Sequence, residues 1–304
     1  MFHNSAEYNA TVTDVRRVQD DLMIMQVEPD DGPLKYQPGQ YTTLGLLTDE
    51  RRIGDVAHSE APHQQLIRRA YSISCPILDE HGKLLPRESR RYLEFYIALV
   101  RKESDDPPSL TPRIFAMDAG HRIFVGTKAK GTYTLSPVQS DSDVLFFATG
   151  TGEAPHNAMI HQLLSRQHAG RIASFVCVRH RRDLAYLNTH RELEKRYPNY
   201  RYVTLTTREP ENVDVQHPDY VGKLYLQQMF LKDRLQQLIG WVPDPARSHA
   251  FLCGSPSMIG APKREPGSDY SFPDPKGMVE TLIEHGYRLD RPRDAGNIHY
   301  ERYW

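Results

Sequence analysis

Val144-Leu-Phe-Phe-Ala-Thr-Gly-Thr-Gly-Glu-Ala-Pro155 decides the fold of this 304-residue chain. An apolar run that ends in glycines reads as a buried strand, and the helical pattern Ala154 to Gln167 follows directly. Gly150 and Gly152 can take positive φ and let backbone N–H groups approach an anion at the positive end of that helix. Taken alone, the same turn is also plain connecting chemistry between a strand and a helix.

Working outward, the alternation continues downstream with strands at Ile172 to Val178, Tyr202 to Thr206 and Ala250 to Cys253. Helical patterns at Asp183 to Tyr197, Leu224 to Ile239 and Gly277 to His285 separate or follow them, which describes a doubly wound α/β parallel sheet. Upstream the period changes near Asp141. Short β-rich runs at Leu22 to Val27, Tyr41 to Leu47, Ala70 to Ser74, Tyr92 to Val100 and His121 to Val125, punctuated by Gly and Pro, predict a small antiparallel β-barrel. Two domains result, 1–138 and 139–304. Thr48 to Ile67, Asp79 to Arg90 and Gly260 to Lys276 are polar or rich in Pro and Gly and read as surface loops.

Lys plus Arg total 38 against 39 for Asp plus Glu, so no global field draws the chain to nucleic acid or a membrane. Cys75, Cys177 and Cys253 are too dispersed for a disulfide framework or a cysteine metal site, which fits a reducing, cytoplasmic setting. The N-terminus lacks the apolar core of a signal peptide and no stretch reaches the length of a membrane span, so the chain reads as soluble.

Chemistry concentrates at the carboxyl ends of the parallel strands, where open sheets bind ligands. Arg179 ends one strand and Arg208 the next, and two arginine forks there suit an adenosine 2′-phosphate. Each alone is also an ordinary solvated charge. Lys223 offers a third phosphate contact or a solvated lysine. Phe251-Leu-Cys-Gly-Ser-Pro-Ser-Met258 brings Cys253 and Gly254 to the same edge, where a flat ring could dock or a small thiol could fill the core. In the first half, Arg69-Ala-Tyr-Ser-Ile-Ser74 places Arg69, Tyr71 and Ile73 on one strand face. That strand offers an arginine for a diphosphate, a tyrosine for a ring and Ser72 for a flavin N5, or else a surface arginine and a core tyrosine.

Pro38-Gly-Gln-Tyr41, Arg69-Ala-Tyr-Ser72, Glu94-Phe-Tyr96, Leu110-Thr-Pro-Arg113, Gly150-Thr-Gly-Glu-Ala-Pro155, Leu193-Glu-Lys-Arg-Tyr197, Cys253-Gly-Ser-Pro256 and Glu301-Arg-Tyr-Trp304 fall in the order and spacing of one family. The chain resembles the ferredoxin-NADP reductase superfamily, in particular the bacterial ferredoxin(flavodoxin)-NADP reductases. The resemblance implies an FAD-binding barrel, an NADP-binding α/β domain, and a flavin between them relaying electrons from NADPH to ferredoxin or flavodoxin. It assigns Arg69 to the FAD diphosphate, Ala70 and Tyr71 to the flavin and ribityl chain, Ser72 to the vicinity of N5, and Tyr96, Leu110 and Thr111 to the FAD tail. Thr151 falls between flavin and nicotinamide, Gly150, Gly152 and Gly254 line the NADP site, Cys253 flanks the nicotinamide, and Arg179 and Arg208 grip the 2′-phosphate. Lys223 matches an arginine-bearing position, Tyr303 lies against the flavin ring, and Trp304 stacks near the adenine. Ser72, Cys253 and Tyr303 are thereby the catalytic set. No metal is implied.

Glu153 and His156 depart from the family, which usually carries an apolar residue and an aromatic there, so nicotinamide docking is open at that point. Arg16, Arg17, Arg51, Arg52, Arg68 and Arg101 are candidate docking charges or ordinary solvated ones. A related reductase for a siderophore, cytochrome or oxygenase shares this chemistry, whereas a non-enzymatic nucleotide-binding regulator would need the flavin or nicotinamide site disabled.

Overall fold

A computed structural model describes residues 7–54, 65–86, 90–101, 109–231, 233–264, 270–291 and 294–303. The chain divides into two compact units, Met1–Thr134 and Leu135–Trp304.

The first unit is one antiparallel sheet of six strands: β1 (Ala10–Gln19), β2 (Leu22–Pro29), β3 (Tyr41–Leu47), β4 (Leu66–Ser72), β5 (Leu93–Ala98) and β6 (Arg122–Val125). Their order is β4-β3-β6-β1-β2-β5. The sheet is barrel-like but not closed by a ladder. Past Ser72 a lone bridge from Ser74 to Glu94 links the β4 side to β5, and Pro76 follows, which has no N–H to extend the pairing. β1, the longest strand, has no counterpart among the sequence-predicted runs. Its outer positions are charged, Asp14, Arg16 and Arg17, and only Ala10 and Val12 are buried, so its apolar alternation is weak. Val12, Met23, Met25, Leu44, Phe95, Ile97 and Ile123 fill the interior, and the one-turn helix α1 (Thr111–Ile114) adds Ile114 to it.

The second unit is a parallel sheet of five strands, β7 (Asp143–Thr149), β8 (Ile172–Val178), β9 (Tyr200–Thr206), β10 (Ser248–Gly254) and β13 (Ile298–Arg302). The order is β13-β10-β7-β8-β9, so the chain winds outward from β7 in both directions. Between β7 and β10 run α2 (Glu153–Ser165), α3 (Leu187–Arg196), α4 (Pro210–Val213) and α5 (Arg234–Ile239). After β10 come α6 (Pro256–Ile259), the small hairpin β11 (Lys263–Arg264) and β12 (Tyr270–Ser271), and α7 (Met278–Glu284). The helix expected over Leu224 to Ile239 divides into a 3-10 segment, Leu226–Phe230, and α5. The helix expected from Asp183 starts later, at Leu187, because the Asp183 carboxylate accepts the His180 N–H and closes a separate turn.

Strand alternation gives this sheet two unlike faces. Leu145, Phe147, Phe175, Val203, Leu252 and Ile298 face one side and pack with Met229, Phe230, Ile239, Met278 and Leu282. Phe146, Ser174, Tyr202 and Phe251 face the other, toward α2 and α3.

Candidate functional site

On the first unit the register of β3 against β4 pairs Tyr41 with Ser72, Thr42 with Tyr71 and Leu44 with Arg69. Arg69 and Ala70 are exposed, Tyr71 is half-buried and Ser72 is buried. The Tyr71 ring meets Phe95 edge-on at 6.5 Å, and burial pushes its hydroxyl pKa up, so it stays a neutral hydrogen-bond donor. The Arg69 guanidinium donates to the Arg68 carbonyl at 2.8 Å. Tyr96 and Leu110 are buried, and Thr111 is half-buried with its Oγ1 accepting the Val100 N–H at 3.0 Å. Arg69 and Ala70 thus stand on the exposed side of β4, while Ser72, Tyr96 and Leu110 are buried.

On the second unit the glycine turn stands between β7 and α2 as a 3-10 segment, Gly150–Gly152. Gly150 has φ +51°, and a Cβ on Gly152 would lie 2.2 Å from the Cys253 carbonyl oxygen. Both positions therefore require glycine. Gly254, at φ +126°, passes equally close to Thr149, where a Cβ would lie 2.3 Å from Oγ1; Thr149 Oγ1 accepts the Ser255 N–H at 2.8 Å. Thr149 thus ties the two strand ends together. It was not among the expected site residues, because a threonine ending a strand carries no distinctive pattern.

Tyr303 joins this cluster from the C-terminus. Its hydroxyl donates to the Thr151 carbonyl at 3.3 Å and its N–H to the Gly254 carbonyl at 3.3 Å. Thr151, Cys253, Gly254 and Tyr303 therefore meet at one sheet edge. Cys253 is fully buried, and that burial raises its thiol pKa, with the Tyr303 hydroxyl acting in the opposite direction. The sulfur is a neutral packing group with no thiolate chemistry. Trp304 lies outside the described residues, as do 55–64, 265–269 and 87–89 in the three predicted loops.

Arg179 and Arg208 stand side by side beyond β8 and β9: the Arg208 N–H donates to the Arg179 carbonyl at 2.9 Å. Both side chains are exposed, and neither has an ion-pair or hydrogen-bond partner among the described residues. Their neighbour Arg181 is by contrast paired with Glu211 at 3.2 Å, while Glu209 receives the Arg181 N–H at 2.5 Å. The local carboxylates are thus engaged with Arg181 and leave the two flanking forks open. Lys223 is held near the same loop, since Asn212 Nδ2 donates to the Gly222 carbonyl at 3.1 Å. A cleft of about 320 Å³ opens beside this edge between Arg181, Leu184, Arg191, Thr204 and Thr206.

The two departures from the family pattern both turn inward. His156 packs on Phe146 with ring centres 4.9 Å apart, and burial holds its pKa down to about 3. Glu153 reaches Tyr202 and His190 beneath α2. Neither blocks the outer surface of the turn. Among the expected docking charges, Arg17 is committed to the carbonyls of Phe115 and Met117 and to Asp118, and Arg68 lies 4.4 Å over the Phe124 ring.

The chain thus joins an antiparallel six-stranded sheet to a doubly wound parallel sheet whose first strand ends in the glycine turn. Residues 146–264 match the family model of the oxidoreductase NAD-binding domain. Over most of its length the chain is similar to bacterial ferredoxin-NADP and flavodoxin-NADP reductases. It is 25% identical to a flavodoxin/ferredoxin-NADP reductase of Buchnera aphidicola over 83% of this chain and 86% of that protein. It is 26% identical to the ferredoxin-NADP reductase of Pseudomonas aeruginosa, again over 83% and 86%. The fold matches a ferredoxin NADP+ reductase from Neisseria gonorrhoeae, solved with bound FAD and NADP, at a TM-score of 0.70 and 19% identity over 98% of this chain and 99% of that one. No helix among the described residues is long and apolar enough to cross a membrane.

Proposed function

We propose that the chain is an FAD-dependent NADP(H) oxidoreductase that exchanges electrons with ferredoxin or flavodoxin. The observation that carries the NADP reading is the pair of exposed, unpaired guanidinium groups, Arg179 and Arg208, at adjacent strand ends. A ribose 2′-hydroxyl calls for a carboxylate acceptor, but a 2′-phosphate calls for such forks. Lys223 adds a third positive charge, and the turn at Gly150 and Gly152 receives the pyrophosphate with backbone N–H groups. Thr151, Cys253 and Gly254 then line the nicotinamide end, with the thiol neutral throughout. On the first unit Arg69 engages the FAD diphosphate, Ala70 and Tyr71 flank the ring and ribityl chain, Ser72 approaches N5, and Tyr96, Leu110 and Thr111 line the tail. Tyr303 and Trp304 supply the terminal aromatics.

When bound, FAD supplies the conversion between a hydride pair and single electrons, and no protein acid or base is required for it. The chain's own contribution is positioning and exclusion of water. Tyr303 is held at that edge by its hydrogen bonds to the Thr151 and Gly254 carbonyls.

The test is the ratio of kcat/KM for NADPH over NADH at matched flavin content. The wild type should prefer NADPH by about two decades or more, since charged hydrogen bonds contribute roughly 1.5 to 3 kcal/mol each. Arg179→Ala with Arg208→Ala should erase most of that preference. A ratio near one in the wild type, or a preference that survives both changes, would place the 2′-phosphate elsewhere.

A further inference from the structure

The buried cluster beneath α2 carries an inference about how the glycine turn keeps its N–H groups open. A glutamate in the first turn of a helix ordinarily turns back toward the helix's own unpaired N–H groups, the same donors that a phosphate would use. Glu153 is the first residue of α2, one peptide bond beyond Gly152. The N-cap position is Gly152, which has no side chain to offer those groups. The Glu153 carboxylate points instead into the protein, where it is 1% exposed.

Two residues from other elements hold it there. The Tyr202 hydroxyl, from β9, donates to Glu153 Oε1 at 2.7 Å. His190 Nε2, from α3, lies 3.2 Å from the same oxygen and 3.1 Å from Asn157 Oδ1. With two acceptors before it, Nε2 carries the proton, and Nδ1 accepts from the Tyr200 hydroxyl at 2.7 Å. The His190 ring is stacked on Tyr202 at 4.2 Å and 16°, which fixes both donors in one plane stack. His190 and Tyr200 have no exposed surface, so water does not substitute for any of these bonds.

We propose that Tyr202 and His190 are positioning residues that sequester the Glu153 carboxylate from the N–H groups of the Gly150–Gly152 turn, so that a dinucleotide pyrophosphate meets open donors rather than a competing anion. This rests on the NADP(H) reading of that turn. Released from Tyr202, the carboxylate is within one residue of the turn, since adjacent Cα atoms are about 3.8 Å apart, and it both occupies donors and repels phosphate.

The experiment compares dissociation constants of NADP+ and of adenosine 2′-monophosphate, which carries the 2′-phosphate but no pyrophosphate, on the flavin-loaded protein. Tyr202→Phe removes the hydroxyl and keeps the ring stack. It should weaken NADP+ on the order of ten-fold, the loss of one charged hydrogen bond, while leaving adenosine 2′-monophosphate within about two-fold. Adding Glu153→Gln to Tyr202→Phe should restore NADP+ affinity to within about three-fold of wild type, because the competing charge is gone. Ile239→Val, a buried truncation on the opposite face of the sheet, should lose stability without moving either constant. Unchanged NADP+ binding in Tyr202→Phe overturns the proposal. So does equal weakening of both ligands, a matching loss in Ile239→Val, or a double variant weaker than the single, since each describes general loosening of the unit. Wild-type protein that fails to bind NADP+ at all would instead remove the reading of the turn on which this rests.

Discussion

The two faces of the parallel sheet solve the same packing problem with opposite chemistry. Toward α5, α6 and α7 the interface is predominantly apolar: Phe147 stacks on Phe175 at 4.9 Å and 11°, and Met229, Ile239, Met278 and Leu282 close around them. Toward α2 and α3 the buried groups include Glu153, His156, Asn157, His161, Ser174, His190, Tyr200 and Tyr202. Area burial stabilises the first face without regard to direction. The second depends on hydrogen bonds that are cheap when complete and costly when one member is removed. The directional face is the one that begins at the glycine turn, where a defined position matters more than maximal stability.

The largest expected effect is on the apolar face. Phe147→Ala should cost about 4 kcal/mol of unfolding free energy, from lost transfer and the cavity left behind, read as a fall in the denaturant midpoint. Changes of that kind should add when their residues do not touch. Additivity failing by more than about 1 kcal/mol between two residues of this face that are not in contact would mean that this face is also a coupled network.

On the polar face the expected signature is non-additivity. Glu153→Leu alone should cost about 3 kcal/mol, because it strands the Tyr202 hydroxyl inside the protein, whereas His190 Nε2–H keeps Asn157 Oδ1. Combining it with Tyr202→Phe should cost less than the single change, since the stranded hydroxyl leaves while His190 keeps its Asn157 and Tyr200 partners. A double variant that loses the sum of the two single losses would show that hydrogen bonding does not set this face apart.

The smallest effect concerns pH. His156 is held down to about 3 by burial, below its value of roughly 6.5 in an unfolded chain. The folded state therefore binds fewer protons than the unfolded one. Its contribution is fully present above about pH 6.5 and is lost as pH falls toward 3, at about 1.4 kcal/mol per pH unit. His249, pushed down to about 4 by burial and the adjacent His299, adds in the same direction. His156→Phe should thus recover about 2 kcal/mol at pH 5 relative to wild type, measured as urea midpoints at pH 5 and pH 7.5. An unchanged acid limb would mean that His156 finds a way to stay charged on folding.

Much of the molecule follows from the chain's own pattern. Val144 to Pro155 prescribes strand, turn and helix, because apolar residues buried on both sides of a sheet and a glycine at positive φ, Gly150, have few other uses. The shared strand end of Arg179 and Arg208 is legible for the same reason: strand ends are local, and a parallel sheet puts them on one edge. β1 escaped this reading, since its outward face is charged and its pairing partners, Leu22 to Pro29 and Arg122 with Ile123, lie at very different separations along the chain. The barrel expectation is met by a barrel-like antiparallel sheet, whose seam among the described residues is the single bridge from Ser74 to Glu94.

The polar cluster was beyond any local pattern. Tyr200 and Tyr202 share a strand face by period two, and Glu153 and Asn157 share a helix face by period four, which sequence alone can say. That these two faces and His190 converge, so that Glu153 finds a hydroxyl 49 residues away at 2.7 Å, is decided only when α2 and α3 settle on the sheet. Hydrophobic periodicity is a property of neighbours along the chain, whereas hydrogen-bond satisfaction is a property of neighbours in space.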